Sequence, residues 1–353
     1  MMRACSPAEV RQLERSAGAP YEDGTLMRRA AGAVADLVRR VHPGGGQVLA
    51  LVGSGGNGGD ALWAVADLAG GRDAWTARAL LLGEGADGQA LAAARAAGVE
   101  VVEHLPAGSA HELAAQVDVV VDGIVGLGAR GGLSGAASRM AGAIAEQRAS
   151  GGGAPLVVAV DLPSGVDPEG RRAPEPGAHV RADHTVTFTC AKPAHLLPAT
   201  CEHCGEVAVV DIGLDATGLG TVVAGWSEAD LRSALPVPRR DAHKYSRGVL
   251  GVVAGSEVYP GAAVLTSSAA LHTGVGMLRY VGPRRAEDLV LAACPEAVPG
   301  EGRVQAWVLG PGTPVDDAMV QRRQARLARS GGPALLDAGA LGQVACRPAG
   351  APR

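Results

Sequence analysis

The sequence predicts two consecutive α/β units, the first with a parallel β-sheet between two helix layers. Short aliphatic runs alternate with helical patterns from residue 47 onward, and such alternation is typical of βαβ units. Several of these runs are apolar on both faces, as strands buried between helix layers must be. The alternation of strand and helix patterns is interrupted near residue 213 and then resumes. A chain of 353 residues is long enough for two domains.

The first half contains seven strand candidates separated by helix candidates. Apolar residues at helical spacing, from Leu26 to Val41, precede the first strand. The helix candidates that follow are Gly59–Ala69, Asp87–Ala97 and Gly135–Glu146. The strand candidates are Gln47–Val52, Thr76–Leu82, Val99–Glu103, Val117–Asp122, Leu156–Asp161, His184–Phe188 and Val207–Asp211.

Two segments rich in turn-forming residues mark the division of the chain. Asp215–Gly220 is polar and glycine-rich, and Leu235–Asp241 carries two prolines. We therefore predict a first domain over 1–215, a linker over 216–240 and a second domain over 241–353. In the second domain the pattern resumes with Val249–Val253, Ala262–His272, Leu278–Val281, Trp307–Leu309 and Ala334–Leu336.

Composition and charge exclude several classes of protein. The formal net charge is −4, from 32 basic and 36 acidic residues, whereas nucleic-acid binding needs clustered basic residues. Aromatic residues are only 3% of the chain, too few for base-stacking platforms. No secretory leader and no apolar run long enough to span a membrane is present. We expect a cytoplasmic protein with free thiols that contacts neither nucleic acid nor membrane.

A glycine-rich segment, Val52–Asp60, follows the first strand of the sheet and opens a helix. Its glycines let backbone N–H groups approach a ligand, and the positive end of the helix dipole suits a phosphate. Gly53, Gly55 and Gly58 match a dinucleotide fingerprint. The acidic residue that such a fingerprint places at the end of the next strand is missing. A purely structural turn is the alternative interpretation.

Two more strand-end segments carry oxygen-bearing side chains. Asp122 begins a glycine-rich loop that ends at Gly132 and contains Arg130, which could meet a phosphate. Asp161 and Ser164 follow another strand. Each loop alone is compatible with a simple turn. Together they place hard oxygen ligands at one edge of the sheet, a set that suits an alkali or alkaline-earth cation rather than zinc.

Lys192 lies just past a further strand end and is one of only two lysines in the chain. It is a candidate for acid–base work or for phosphate binding, and an ordinary exposed lysine is the alternative. The pair Cys201 and Cys204 resembles half of a metal site, but no second pair completes it, so we predict no metal there.

These segments together resemble the NAD(P)H-hydrate epimerase domain. The resemblance rests on GSGGNGGDA (53–61), VDGIVGLGARGG (121–132), VAVDLPSGVD (158–167), LMRRAAG (26–32) and FTCAKP (188–193), and it covers about residues 1–215. From Asp241–Gly248 onward the chain resembles the ADP/ATP-dependent NAD(P)H-hydrate dehydratase domain. The resemblance implies a Rossmann-like three-layer domain followed by a ribokinase-like α/β domain, and repair of damaged nicotinamide nucleotides.

The resemblance also implies a set of site residues. Potassium is expected at Asn57, Asp122 and Ser164, and the hydrates of NADH and NADPH are the expected substrates. ADP or ATP is the expected cofactor of the second domain if that domain is active, with substrate contacts at Ala262 and Gly312. We also expect a homo-oligomer. The epimerase substrate contacts are expected at Gly56, Asn57, Gly58, Gly59, Asp60, Gly126, Leu127, Gly128, Ala129, Arg130, Gly131, Gly132 and Asp161.

Epimerisation requires reversible loss of the hydroxyl on ring carbon 6, or opening and closing of the ring. One positioned acid–base group suffices for either route. Asp161 is the first candidate and Lys192 the second. We expect Asp161→Asn to leave folding nearly intact while lowering turnover by orders of magnitude.

The dehydratase resemblance is incomplete. Two further family segments, P-H-x-G-E and a late G-x-G-D, are absent from residues 241–353. We therefore expect a truncated ribokinase-like domain without dehydratase activity. Two other functions remain open for the first domain: a non-catalytic nucleotide-binding or scaffold protein of the kind used in mRNA decapping, and an ordinary Rossmann dehydrogenase. Conversion of the R hydrate to the S hydrate separates all three.

Overall fold

The computed structural model describes residues 1–71, 74–128, 131–151, 153–235 and 237–346. The chain divides into two compact units, Met1–Asp230 and Leu231–Arg353. The division falls inside the segment predicted as a linker, 216–240. No helix among these described residues is both long enough and apolar enough to cross a bilayer.

The first unit alternates strands and helices along most of its length. In chain order its elements are β1 (Met2–Cys5), α1 (Pro7–Ser16), α2 (Ala19–Glu22), α3 (Thr25–Val41), β2 (Gly46–Val52), α4 (Gly56–Gly70), β3 (Trp75–Leu81), α5 (Gly88–Ala96), β4 (Glu100–Val102), α6 (Ala110–Ala115), β5 (Val119–Gly123), α7 (Gly135–Ala149), β6 (Leu156–Val160), β7 (His184–Phe188), β8 (Glu206–Val210) and β9 (Thr221–Gly225). A further helix, α8 (Glu228–Ala234), spans the division between the units.

Seven parallel strands form the main sheet of this unit, in the order β4-β3-β2-β5-β6-β7-β8. Alternate residues of β2 point to opposite faces. Val48, Ala50 and Val52 pack with α3 and α4, while Leu49 and Leu51 pack with α6 and α7. Both faces are therefore covered, and the predicted three-layer fold is confirmed.

One strand pair was not predicted. β1 and β9 form an antiparallel two-stranded sheet, in which Met2 pairs with Gly225. β9 lies within the predicted linker, so that segment contributes a strand to the first unit. Consequently the first unit extends beyond the predicted boundary at residue 215.

The second unit repeats the alternation around a parallel sheet of its own. Its elements are β10 (Val249–Val253), α9 (Pro260–His272), β11 (Met277–Val281), α10 (Arg284–Ala293), β12 (Val298–Pro299), β13 (Ala306–Leu309), α11 (Ala318–Ala328) and β14 (Ala334–Leu336), followed by a 3₁₀ segment, Ala338–Cys346. The strand order is β12-β11-β10-β13-β14. The four strands that the sequence pattern predicts here correspond to β10, β11, β13 and β14. The pattern did not predict β12.

Candidate active site

A cavity of about 590 Å³ opens at the carboxyl ends of the central strands of the first unit. The strand order reverses direction between β2 and β5, and such a switch point leaves a crevice where open α/β sheets bind ligands. The loops after β2, β5 and β6 line the cavity together with residues of α1 and α3. Its volume lies within the usual range for small-molecule sites.

The glycine-rich loop after β2 serves packing at some positions and leaves room for a ligand at others. A Cβ at Gly53 would collide with the carbonyl oxygen of Ile124, and one at Gly58 would collide with the carbonyl of Gly53. Gly55 and Gly56, in contrast, face open space beside the cavity. Helix α4 begins at Gly56 with no side-chain cap, so its first N–H groups are available to an anion.

A buried ion pair lies at the end of β6. The Nζ of Lys192 donates to Oδ1 of Asp161 at 2.6 Å, to Oγ1 of Thr187 at 2.8 Å and to the carbonyl of Phe188 at 3.1 Å. Thr187 also donates to the same Asp161 oxygen, at 2.8 Å. Lys192 is fully buried, whereas Asp161 lines the cavity. All three protons of the ammonium are engaged, so Lys192 positions Asp161 from behind.

The backbone at Asp161 is strained. Its φ is 66°, in the left-handed region that non-glycine residues seldom adopt. The amide of Leu162 donates to the carbonyl of Val160 at 2.8 Å, which closes a γ-turn centred on Asp161. Thr189, with φ 68°, is the centre of a similar turn at the end of β7, closed by Cys190 and Phe188. Strain of this kind costs about 1–3 kcal/mol per residue and is concentrated at functional sites.

The ring of His195 hydrogen-bonds to the backbone of both partners of the ion pair. Its Nδ1 accepts from the backbone N–H of Lys192 at 3.0 Å, so its Nε2 carries the proton and donates to the carbonyl of Asp161 at 3.0 Å. Burial lowers the pKa of His195 to about 4, and the charge of Lys192 acts in the same direction. The ring is therefore neutral at neutral pH and acts as a structural bridge.

Asp122, near the end of β5, and Ser164, in the loop after β6, form a second buried cluster. Ser164 donates to Asp122 through its hydroxyl at 2.6 Å and through its backbone N–H at 2.8 Å. Both residues are fully buried. Burial raises the pKa of Asp122 to about 6, although the hydrogen bonds from Ser164 and Ile124 lower it. Asn57 is next to this cluster, because its backbone carbonyl contacts Gly123 and its side chain contacts Gly126.

This cluster offers several oxygen atoms to a cation. Within the described part of the chain, no cationic side chain pairs with the Asp122 carboxylate. The Nδ2 of Asn57 donates to the carbonyl of Val160 at 2.6 Å, which leaves its Oδ1 as a further oxygen ligand. Clusters of His, Cys, Asp and Glu that suit a transition metal are absent from the described residues. Hard oxygen ligands of this kind suit an alkali or alkaline-earth cation.

The structure brings most of the predicted epimerase residues to this crevice. Those that line the cavity are Gly56, Asn57, Asp60, Gly126, Leu127, Gly128 and Asp161. Those that lie outside its lining are Gly58, Gly59, Asp122, Gly131, Gly132, Ser164 and Lys192. Ala129 and Arg130 lie outside the described residues.

Several cavity residues were not predicted from the sequence. Helix α1 contributes Arg11, Glu14 and Arg15, although its polar sequence carries no motif. Burial raises the pKa of Glu14, and Asp161 adds to this effect. Thr187 and His195 were also missed. The only available signal was their closeness in sequence to Lys192.

In the second unit, the two predicted dehydratase contacts also meet. A Cβ at Gly312 would press against the Cβ of Ala262. The loop after β13 therefore lies against the first turn of α9, as it must if both residues are to contact one ligand.

The sequences of both units match known protein families. Residues 23–194 match the family described as YjeF-related protein N-terminus, and residues 250–351 match NAD(P)H-hydrate dehydratase. The chain is 40% identical to the bifunctional NAD(P)H-hydrate repair enzyme of Mycobacterium leprae, over 97% of this chain and 69% of that protein. It is 41% identical to the NAD(P)H-hydrate epimerase of Clavibacter sepedonicus, over 58% of this chain and 89% of that protein.

A solved structure is similar to part of this chain. It is the ADP/ATP-dependent NAD(P)H-hydrate dehydratase of Bacillus subtilis co-crystallised with ATP and Mg²⁺, at 30% identity and a TM-score of 0.32, over 35% of this chain and 48% of that one. The chain spans 62% to 69% of the length of bifunctional relatives from two mycobacteria.

Proposed function

We propose, since the chain belongs to the family of NAD(P)H-hydrate repair enzymes, that its first unit interconverts the R and S hydrates of NADH and NADPH. The observation that carries this proposal is the buried Asp161–Lys192 pair, which presents one carboxylate to a nucleotide-sized cavity. A scaffold protein does not require an ion pair of this kind on a strained backbone, so the pair favours catalysis.

The geometry suggests how the hydrate is held. The free N–H groups at the start of α4 and the open loop at Gly55 and Gly56 suit the pyrophosphate. The damaged ring then lies near Asp161, which also lines the cavity. The C6 hydroxyl belongs to a hemiaminal, so protonation of its oxygen weakens the C–O bond. The ring nitrogen's lone pair stabilises the cation that remains, and the Asp161 carboxylate offsets its positive charge.

Potassium is proposed at Asn57, Asp122 and Ser164. When bound, the ion supplies a positive charge that compensates Asp122 and holds the loops after β2, β5 and β6 together. These residues thereby shape the cavity in which Asp161 acts.

For the second unit, we propose that Ala262 and Gly312 contact a nucleotide-hydrate ligand and that ADP or ATP is the co-substrate if this unit is active. The sequence-based prediction that residues 241–353 do not complete a dehydratase stays a prediction. Formation of NADH from the S hydrate, in proportion to protein and dependent on ADP or ATP, would contradict it. Self-association and a cytoplasmic location also stay predictions.

The experiment uses the full chain and purified R hydrate of NADPH. Formation of the S hydrate is followed by chromatography, with a protein-free control and with K⁺ replaced by Li⁺. We expect interconversion faster than the control and slower in Li⁺. Binding of NADPH without any interconversion would refute the epimerase proposal and favour the scaffold alternative. Reduction of NAD⁺ or NADP⁺ with a hydroxy-acid or alcohol substrate would favour the dehydrogenase alternative.

A further inference from the structure

Two carboxyl groups of the cavity have opposite surroundings. Asp161 accepts hydrogen bonds from the Lys192 ammonium and the Thr187 hydroxyl. Asp60 also lines the cavity, but within the described residues no donor and no cation reaches its carboxyl group. A charged acid with a cationic partner and a buried acid without one are suited to different roles.

Asp60 is 8% exposed. It is the fifth residue of α4, one turn beyond the N–H groups that are free to bind an anion, so it does not cap the helix. The groups that face it are acids: Asp161 at the end of β6, Glu14 on α1 and Asp87 before α5. Among the described residues, the cationic side chains that line the cavity are Arg11 and Arg15, which lie beside Glu14. Lys192 lies outside the lining and is paired with Asp161.

Both features favour the neutral acid. Burial raises the pKa of Asp60 well above its usual range, and the charges of Asp161, Glu14 and Asp87 raise it further. An uncompensated carboxylate in such a place is costly, and the group keeps its proton instead. The cavity thus holds a proton donor next to a carboxylate that has a cation behind it.

We propose that Asp60 is the general acid of the epimerase reaction, an inference that rests on the function proposed above. The O–H bond of Asp60 breaks and its proton binds the C6 hydroxyl oxygen of the hydrate. The C6–O bond then breaks, and its electron pair leaves with water while the lone pair of the ring nitrogen forms a C6=N1 double bond. Water adds to the opposite face of C6, the π pair returns to nitrogen, and the added water releases one proton to solvent, from which the Asp60 carboxylate regains its proton.

Asp60→Asn is the first test, because amide and acid have nearly the same shape. We expect turnover to fall by at least about 100-fold, the range in which removal of a general acid acts. The affinity for NADPH, measured by its fluorescence, and the melting temperature should stay close to wild type. Turnover close to wild type in Asp60→Asn would overturn the proposal while leaving the epimerase function intact. Absence of epimerase activity in the wild type would instead refute both.

Asp87→Asn is the matched control. It makes the same Asp→Asn change near Asp60 but outside the cavity lining, and an asparagine can still accept the hydrogen bond from Ala90 that caps α5. Turnover at neutral pH should be close to wild type. Because one negative charge near Asp60 is gone, the loss of activity at alkaline pH should begin at lower pH than in wild type. The same turnover loss in both variants would contradict a specific role for Asp60.

Chemical rescue separates proton donation from a structural role. In Asp60→Ala the side chain is missing, and added formic or acetic acid should restore turnover in proportion to the concentration of the protonated form. Labelled water gives a second readout: ¹⁸O should enter the hydrate at the rate of epimerisation. If the added acids do not restore turnover and the hydrate keeps its original oxygen during epimerisation, the reaction proceeds by ring opening. That result would overturn the assignment of Asp60. Glu14→Gln tests the competing donor, and a larger loss there than in Asp60→Asn would transfer the role to Glu14.

Discussion

Replacement of Lys192 by methionine gives the sharpest test of the buried ion pair. Met fills a similar volume but removes the ammonium that serves Asp161, Thr187 and Phe188. Since Lys192 is 0% exposed, water cannot replace these hydrogen bonds. Breaking one partner of a buried pair costs about 3–5 kcal/mol, which corresponds to a melting temperature lower by roughly 6–20 °C for a unit of this size.

The assay is thermal unfolding of Lys192→Met, of Asp161→Asn and of the double variant. Each single change leaves one uncompensated buried group, whereas the double change leaves none. The double variant should therefore be more stable than the sum of the single effects by about 1–3 kcal/mol, although it should remain inactive. A melting temperature for Lys192→Met within about 2 °C of wild type, or strictly additive effects, would refute the reasoning.

Two further predictions concern His195 and the loops. The folded-state pKa of His195 is about 4, below its ordinary value of 6.5, so its contribution is complete above pH 6.5 and is lost as the pH falls toward 4. The stability of wild type relative to His195→Gln should therefore fall by about 3 kcal/mol over that range, measured by urea unfolding, and a constant difference would contradict this. Gly126→Ala should weaken the activation of turnover by K⁺, because the added Cβ would collide with the side chain of Asn57. Gly128→Ala is the control, because a Cβ there faces open space, and its turnover should respond to K⁺ like that of wild type. Equal responses of the two variants would argue against the proposed ion site.

The structure changes one expectation about Asp161. As a crevice carboxylate it was expected to tolerate replacement by asparagine without loss of stability. The structure shows that its partner Lys192 is fully buried, so the neutral variant leaves an ammonium without its counter-charge. Asparagine does remain suited to the backbone, since it tolerates the left-handed region. We now expect Asp161→Asn to lower both stability and turnover.

Local signals were sufficient for much of the fold. The seven strands of the main sheet were predicted because their apolar runs are short, buried and bounded by turn residues. The pair β1 and β9 was not, because each of these strands is partly exposed. The hydrogen bond between Arg3 and Thr221 connects residues that are 218 positions apart in the sequence, and no local pattern encodes such a pairing.

The same distinction applies to the site. The sequence by itself determined the strand-end loops, since glycine at close backbone contacts and oxygen side chains after apolar strands are local features. Only the tertiary structure decided that Lys192 lies behind Asp161, that Glu14 of α1 lines the cavity and that no cation of the described residues pairs with Asp60. Protonation depends on burial and on the charges of neighbouring elements, and these are set only when separate strands and helices pack together.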